Sequence, residues 1–164
     1  MKTLIRTLLM LALIVWLGAE IFFPVVAAVT FGQLAPNTHA AGQIVGALLR
    51  ILHTVGSGAG LVALALLALS PAWGLYKAKS VLPAMVLLLM MVGLTSYSQH
   101  GIMPQMERDR VAAGGAIDLA PANNPARMDF NRLHERSTQV EEAVLLMGIV
   151  VVVLVAHAES ARAS

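Results

Sequence analysis

The chain contains no cysteine. That excludes disulfides, thiolate-held metals and cysteine nucleophiles together, and it leaves the redox compartment open. Charge is scarce as well: Asp, Glu, Lys and Arg make up 12% of 164 residues, where a soluble domain carries about a quarter. The net charge is only +2. The few basic residues form no stripe with interleaved aromatics, which argues against nucleic acid as a partner. Neither Gly-x-Ser-x-Gly nor His-Glu-x-x-His occurs, so those hydrolase signatures are missing. No inverted repeat of the kind that builds many transporters is visible.

What is abundant is apolar sequence, 58% of the chain, gathered in long blocks. Blocks of this length argue for lipid as the solvent. The expected fold is all-α, an integral membrane four-helix bundle running up-down-up-down over a single transmembrane domain, 1–164. Its helices are expected at about 4–29, 43–69, 80–103 and 125–158, with a polar loop at about 104–124. Lys2 and Arg6 precede the first block, as in a signal peptide, but the run outlasts the roughly 7–15 apolar residues of such a segment. A retained helix is therefore expected. Met85, Met90 and Met91 sit at helical spacing and read as packing fillers rather than a copper path. Asn124 and Pro125 supply a cap and a first helical residue. A helix from there to 158 is about 50 Å long, against about 30 Å of hydrocarbon, so its polar start is expected to project beyond the bilayer.

Alternating chain direction brings the late parts of odd helices level with the early parts of even ones. Glu20, Arg50, His53, Gln99, His100, His134, Ser137, Glu141 and Glu142 then collect toward one end. Lys2, Arg6, Lys77, Lys79 and Arg162 mark the other end as ordinary anchors. Arg50, His53 and Ser57 share a helix face, as do Phe130, His134, Ser137 and Glu141. A charge inside the bilayer costs roughly 2.5–3.5 kcal/mol on insertion scales, so Arg50 is expected to pair with Glu20 or Glu141. Gly42/Gly46 and Gly56/Gly60 are small-xxx-small pairs. Gly56 and Gly60 are the expected contact in a homo-oligomer.

Several segments carry a resemblance. Trp16-Leu17-Gly18-Ala19-Glu20-Ile21-Phe22-Phe23 resembles the Trp-x-Gly…Phe opening of a bacterial family of small membrane proteins of unknown function, related to the animal transmembrane protein 205. Ala41-Gly42-Gln43-Ile44-Val45-Gly46 is similar to that family's second-helix entry. His100-Gly101-Ile102-Met103-Pro104-Gln105-Met106, with Arg108 or Arg110, resembles its Pro-x-Met…Arg segment. Arg127 to Ser137 resembles its Phe-x-x-x-His-x-x-Ser signature. Glu141 stands where the family often has a neutral amide. The resemblance implies a four-helix domain, and through the animal member's link to platinum-drug resistance it suggests handling of metal complexes or small solutes.

The leading expectation is a membrane protein that binds or moves a small solute or metal complex at the polar end. The ligand-binding candidates are Glu20, Arg50, His53, His100, Arg127, His134, Ser137 and Glu141, with the metal left unassigned. The alternative is a non-catalytic assembly or scaffold subunit in which the same groups glue helices together. A haem protein would use His53 and His134 as axial ligands and ranks lower. Neither enzymatic activity nor a cofactor is expected. The partner is the lipid bilayer. The chain is expected in the cell inner membrane, and the positive-inside rule puts both termini in the cytoplasm, because Lys2, Arg6, Lys77 and Lys79 have no acidic residue among them.

Overall fold

The computed structural model describes residues 1–163, and side chains as far as Ser160. Arg162, expected as an anchor, lies outside the described side chains. Helix α1 spans Lys2–Gln33, α2 Thr38–Leu69 and α3 Ala78–Tyr97. A π-helical turn, Ser98–Ile102, joins α3 to α4, Met103–Ala112. A 3-10 turn, Ile117–Leu119, precedes α5, Pro125–Ala163. No strand occurs among the described residues.

Four helical stretches, counting α3 to α4 as one, are long and apolar enough to cross a membrane. Between 22% and 33% of the most apolar window of each is buried inside the protein. The remainder faces outward, with Leu4, Ile14, Phe22, Ile51, Leu61, Leu82, Leu89, Leu146 and Val153 all exposed. An apolar exterior of this extent suits acyl chains rather than water. The chain is an all-α, multi-pass membrane protein.

The helices form a closed ring: α1 packs on α2, α2 on α3, α3 on α5 and α5 back on α1, while α4 rests against α5. Leu9, Leu13, Trp16, Leu67, Leu88, Val144, Val151 and Val155 fill the middle. Closest approach comes where α1 crosses α2. Trp16 is 1% exposed, and a Cβ on Gly60 would sit 2.0 Å from its ring carbon Cζ3. A Cβ on Gly56 would sit 2.7 Å from its indole nitrogen. The two glycines therefore make a slot for Trp16 within one chain. The expected contact between copies through Gly56 and Gly60 finds that face already covered.

Two boundaries differ from expectation for local reasons. Helix α2 begins five residues before 43, because the Asn37 side chain accepts a hydrogen bond from the Ala40 amide at 3.0 Å and caps it. The expected loop at 104–124 contains α4. Pro104 follows the π turn, and Met103 and Asp109 are buried against the bundle. At the start of α5 the Asn124 side chain accepts from the Arg127 amide at 3.2 Å, the expected cap.

Candidate functional site

The polar groups of α1, α2, the π turn and α5 meet in a network toward one end of the ring. Glu20 is buried on α1, and the Trp16 indole N–H one turn earlier donates to its Oε1 at 3.1 Å. His53 is 1% exposed on α2. Its Nε2 lies 2.8 Å from Glu141 Oε1, and its Nδ1 lies 3.0 Å from Gln99 Oε1. The Ser98 hydroxyl donates to the same Glu141 oxygen at 3.2 Å. Glu20 lies within electrostatic reach of both Glu141 and His53. Both ring nitrogens of His53 thus face acceptor oxygens on different elements. A doubly protonated ring satisfies both at once, and it also balances the Glu141 carboxylate.

The π turn sets this geometry. It inserts an extra residue into the helix that runs from α3 into α4, as such turns often do at functional sites. Ser98 is thereby buried toward Glu141, while Gln99 reaches His53. One turn earlier, Thr95 is fully buried, and its hydroxyl has no hydrogen-bond partner. The second Glu141 oxygen is also buried without a partner. Ser137 is buried beside the network, one turn before Glu141 on α5.

A cleft of about 320 Å³ opens on the outer side of this network, between α2 and the end of α3. Its walls are His53, Thr54, Ser57, Ser96, Gln99 and His100, with Gly58 and Leu61 completing α2's side. His53 is the link between cleft and network, since it lines one and bonds the other.

Other expected site residues lie elsewhere. Arg50 is exposed and pairs with neither Glu20 nor Glu141; it acts electrostatically on Glu107 of α4 instead. The reason is rotation. Three residues from His53 puts Arg50 on α2's outer edge once His53 points inward. His100 is exposed at the cleft rim. His134 is exposed and stacks on Phe130, with ring centroids 6.4 Å apart. It cannot oppose His53 as a second axial ligand, because it lies outside the ring. Arg127 binds loop backbone, donating to the carbonyl oxygens of Ala120 at 2.5 Å and Asp118 at 3.3 Å. No group of three or more His, Asp or Glu side chains suited to a metal occurs among the described residues.

The opposite end is less plain than expected. Arg6 forks onto Glu159, Nε to Oε1 at 2.6 Å and Nη2 to Oε2 at 2.5 Å. The Tyr76 hydroxyl also donates to Glu159. Lys2 Nζ donates to the Gly74 carbonyl at 3.1 Å. Arg6 is therefore a bonded partner of α5 rather than a free anchor. Its signal in the sequence was Glu159, the only acidic residue near that end of α5.

A family described as a domain of unknown function, DUF4149, matches residues 11–113. The chain belongs to that family. The DUF4149 match runs from α1 through α4, and so contains Trp16, Glu20, His53, Ser98 and Gln99. Glu141 lies on α5, beyond the matched residues. Membership agrees with the resemblance to transmembrane protein 205-like proteins, and the four long apolar helices agree with both. No curated protein and no solved structure matches the chain.

Proposed function

We propose that this DUF4149 protein is a membrane-embedded binding protein whose cleft between α2 and α3 takes up a small solute, with His53 as its floor and Glu141 as the group that fixes His53. The observation that carries the reading is the position of His53. Burying an ionisable ring inside an apolar bundle is costly unless it is paired, and here both ring nitrogens are paired, to Glu141 and Gln99, while a face of the ring lines the cleft. Gln99 positions the ring, and Ser98 holds the Glu141 oxygen. A metal complex is a weaker candidate than an organic solute, because the cleft offers imidazole and hydroxyl groups but no thioether or carboxylate ligand of its own.

The finer topology belongs to the same proposal. The helices run up-down-up-down. Bonds from Arg6 to Glu159 and from Lys2 to Gly74 support one end, and the bond from Thr38 to Asp118 supports the other. The polar first turns of α5 extend beyond the bilayer with His134 and Arg136. Both termini face the cytoplasm of a cell bounded by its inner membrane, on the strength of Lys2, Lys77 and Lys79. No catalytic step is assigned.

Mild extraction followed by mass spectrometry of retained small molecules tests the reading. A molecule held by the wild-type chain should fall about tenfold or more in both His53→Ala and Glu141→Gln while the bundle stays helical and monodisperse. Equal retention in all three proteins would remove His53 from any site.

A further inference from the structure

The cleft's place in the fold narrows what can fill it. His53 lies about 25 Å along α2 from Ser70, at 1.5 Å per residue, against a hydrocarbon layer of about 30 Å. With Ser70, at the end of α2, taken as the near edge of that layer, the cleft opens beneath the far headgroups and within the acyl layer. Exposed apolar side chains flank it on both helices: Ile51, Val55 and Leu61 on α2, Leu89, Met90 and Tyr97 on α3. Its mouth thus faces sideways into lipid. The Thr54 hydroxyl donates to the Arg50 carbonyl at 2.9 Å, but Ser96 and His100, both exposed there, would meet hydrocarbon if nothing covered them. Uncovered polar groups at that depth are costly.

The lining chemistry narrows the occupant further. No Lys or Arg lines the cleft. The charge that a doubly protonated His53 brings to the lining is matched by Glu141, and Arg50, one turn before Thr54 on α2, acts on Glu107 of α4. The Glu141 carboxylate lies directly behind His53 at 2.8 Å. An anionic head such as a phosphate would find no charge except that of His53, already matched by the Glu141 carboxylate. Hydrogen-bond donors, in contrast, are in supply. The Gln99 carbonyl oxygen is taken by His53, which leaves the Gln99 amide N–H groups free to point elsewhere, and Ser57, Ser96 and His100 add donors beside them. A volume near 320 Å³ is at the small end of ligand pockets and suits one ring-sized head rather than a whole amphiphile. A concave site of this kind also suits an inserted head better than the convex side of another helix.

We infer that the cleft binds the uncharged, hydrogen-bond-accepting head of a lipid-dissolved molecule, the chemistry of an isoprenoid quinone, which enters sideways from the bilayer and leaves its apolar tail outside. This rests on the cleft reading above and adds the class and the source of the ligand. Gln99, Ser57 and Ser96 hold the head's carbonyl oxygens, and Leu61 and Gly58 contact its ring.

Gly58 provides a clean test, because a Cβ there meets nothing within 4 Å. Gly58→Leu fills the cleft and leaves the bundle alone. Gly46 also has open space around it and serves as the control, Gly46→Leu. The wild-type chain and both variants, in phosphatidylcholine nanodiscs, are titrated with a benzoquinone bearing a short isoprenoid tail. Quinone retained after gel filtration is then counted. Saturable one-to-one retention, weakened about tenfold or more in Gly58→Leu and unchanged in Gly46→Leu, is the expected result. No saturable retention by the wild-type chain overturns the inference, as does equal retention in all three. Stronger retention of a short-chain phosphatidic acid than of the quinone overturns the uncharged head. If a water-soluble molecule is retained through His53 while the quinone is not, the inference fails and the cleft reading stands. Because the chain has no cysteine of its own, Gly58→Cys reports on the remaining alternative. Rapid disulfide-linked dimers in native membranes would show a second copy over the cleft and overturn the inference.

Discussion

At Gly60 the bundle has no room for a methyl group. A Cβ there would overlap the Trp16 ring at 2.0 Å, and Trp16 cannot retreat without pulling its N–H away from Glu20. Gly60→Ala should therefore cost at least about 1–3 kcal/mol, the usual range for forcing extra carbon into a packed core. Gly58→Ala, two residues away and facing open space, should stay within about 0.5 kcal/mol. Thermal unfolding in detergent compares them, and equal melting temperatures would refute the Trp16 slot. At the other end, Tyr76 is buried, donates its hydroxyl to Glu159 and sits beside that carboxylate's charge. Burial first, then the hydrogen bond and the charge, push its pKa up from 10.0 to about 12. A raised value in the folded state means that the neutral phenol is the form the fold holds. Its contribution to stability is complete below pH 10 and is lost as pH rises through about 12. Tyr97→Phe leaves Tyr76 as the sole tyrosine, since the chain has two. Ultraviolet titration of phenolate in that variant should show a midpoint near 12; a midpoint at the ordinary tyrosine value would break the Tyr76–Glu159 contact.

At the scale of elements, the long helices were legible because an apolar run long enough to cross lipid has few other uses. Spacing of four residues makes Trp16 and Glu20 neighbours, yet Glu20 was expected to pair with Arg50 instead. The π turn was not readable. Its extra residue is invisible to a period of 3.6, and it decides that Ser98 and Gln99, rather than His100, reach the network. Grouping His134, Ser137 and Glu141 on one face was correct helical geometry applied too far along α5. A face is buried only where another helix lies against it, so Ser137 is covered while His134 is exposed. Arg50 failed for a related reason. Spacing places Arg50 near His53 without saying which of the two turns inward, and the imidazole, more easily paired and less costly to bury, took the interior. Helix α4 was missed because its polar sequence looks like loop, whereas it continues the helix from α3 through the π turn with Met103 and Asp109 packed inward.

For the molecule as a whole, two polar ties sit at opposite ends of an apolar middle. His53–Glu141 joins α2 to α5, and Arg6–Glu159 joins α1 to α5. The α1–α5 seam carries an apolar groove lined by Met10, Ile14, Leu17, Gly18, Val152 and Ala156, so side-chain packing alone leaves it gapped. The Arg6 fork on Glu159 is then what closes the ring there, and a bidentate pair of this geometry is stronger than an exposed single contact. Arg6 is 36% exposed in its side chain and Glu159 17%, so solvent screening tempers the gain. A double-mutant cycle on His53–Glu141 should give a coupling of about 0.5–3 kcal/mol, and the Arg6–Glu159 coupling should be the smaller because His53 is fully buried and Arg6 is not. Across the ties, the effects of Arg6→Ala and His53→Ala should be additive, since their partners Glu159 and Glu141 lie about 27 Å apart along α5 and they share none. Unfolding of the single and double variants in one detergent supplies all of these values. A sizeable coupling between the two ends would mean that the apolar middle transmits strain, and that the ring closes as one unit instead of at two independent ties.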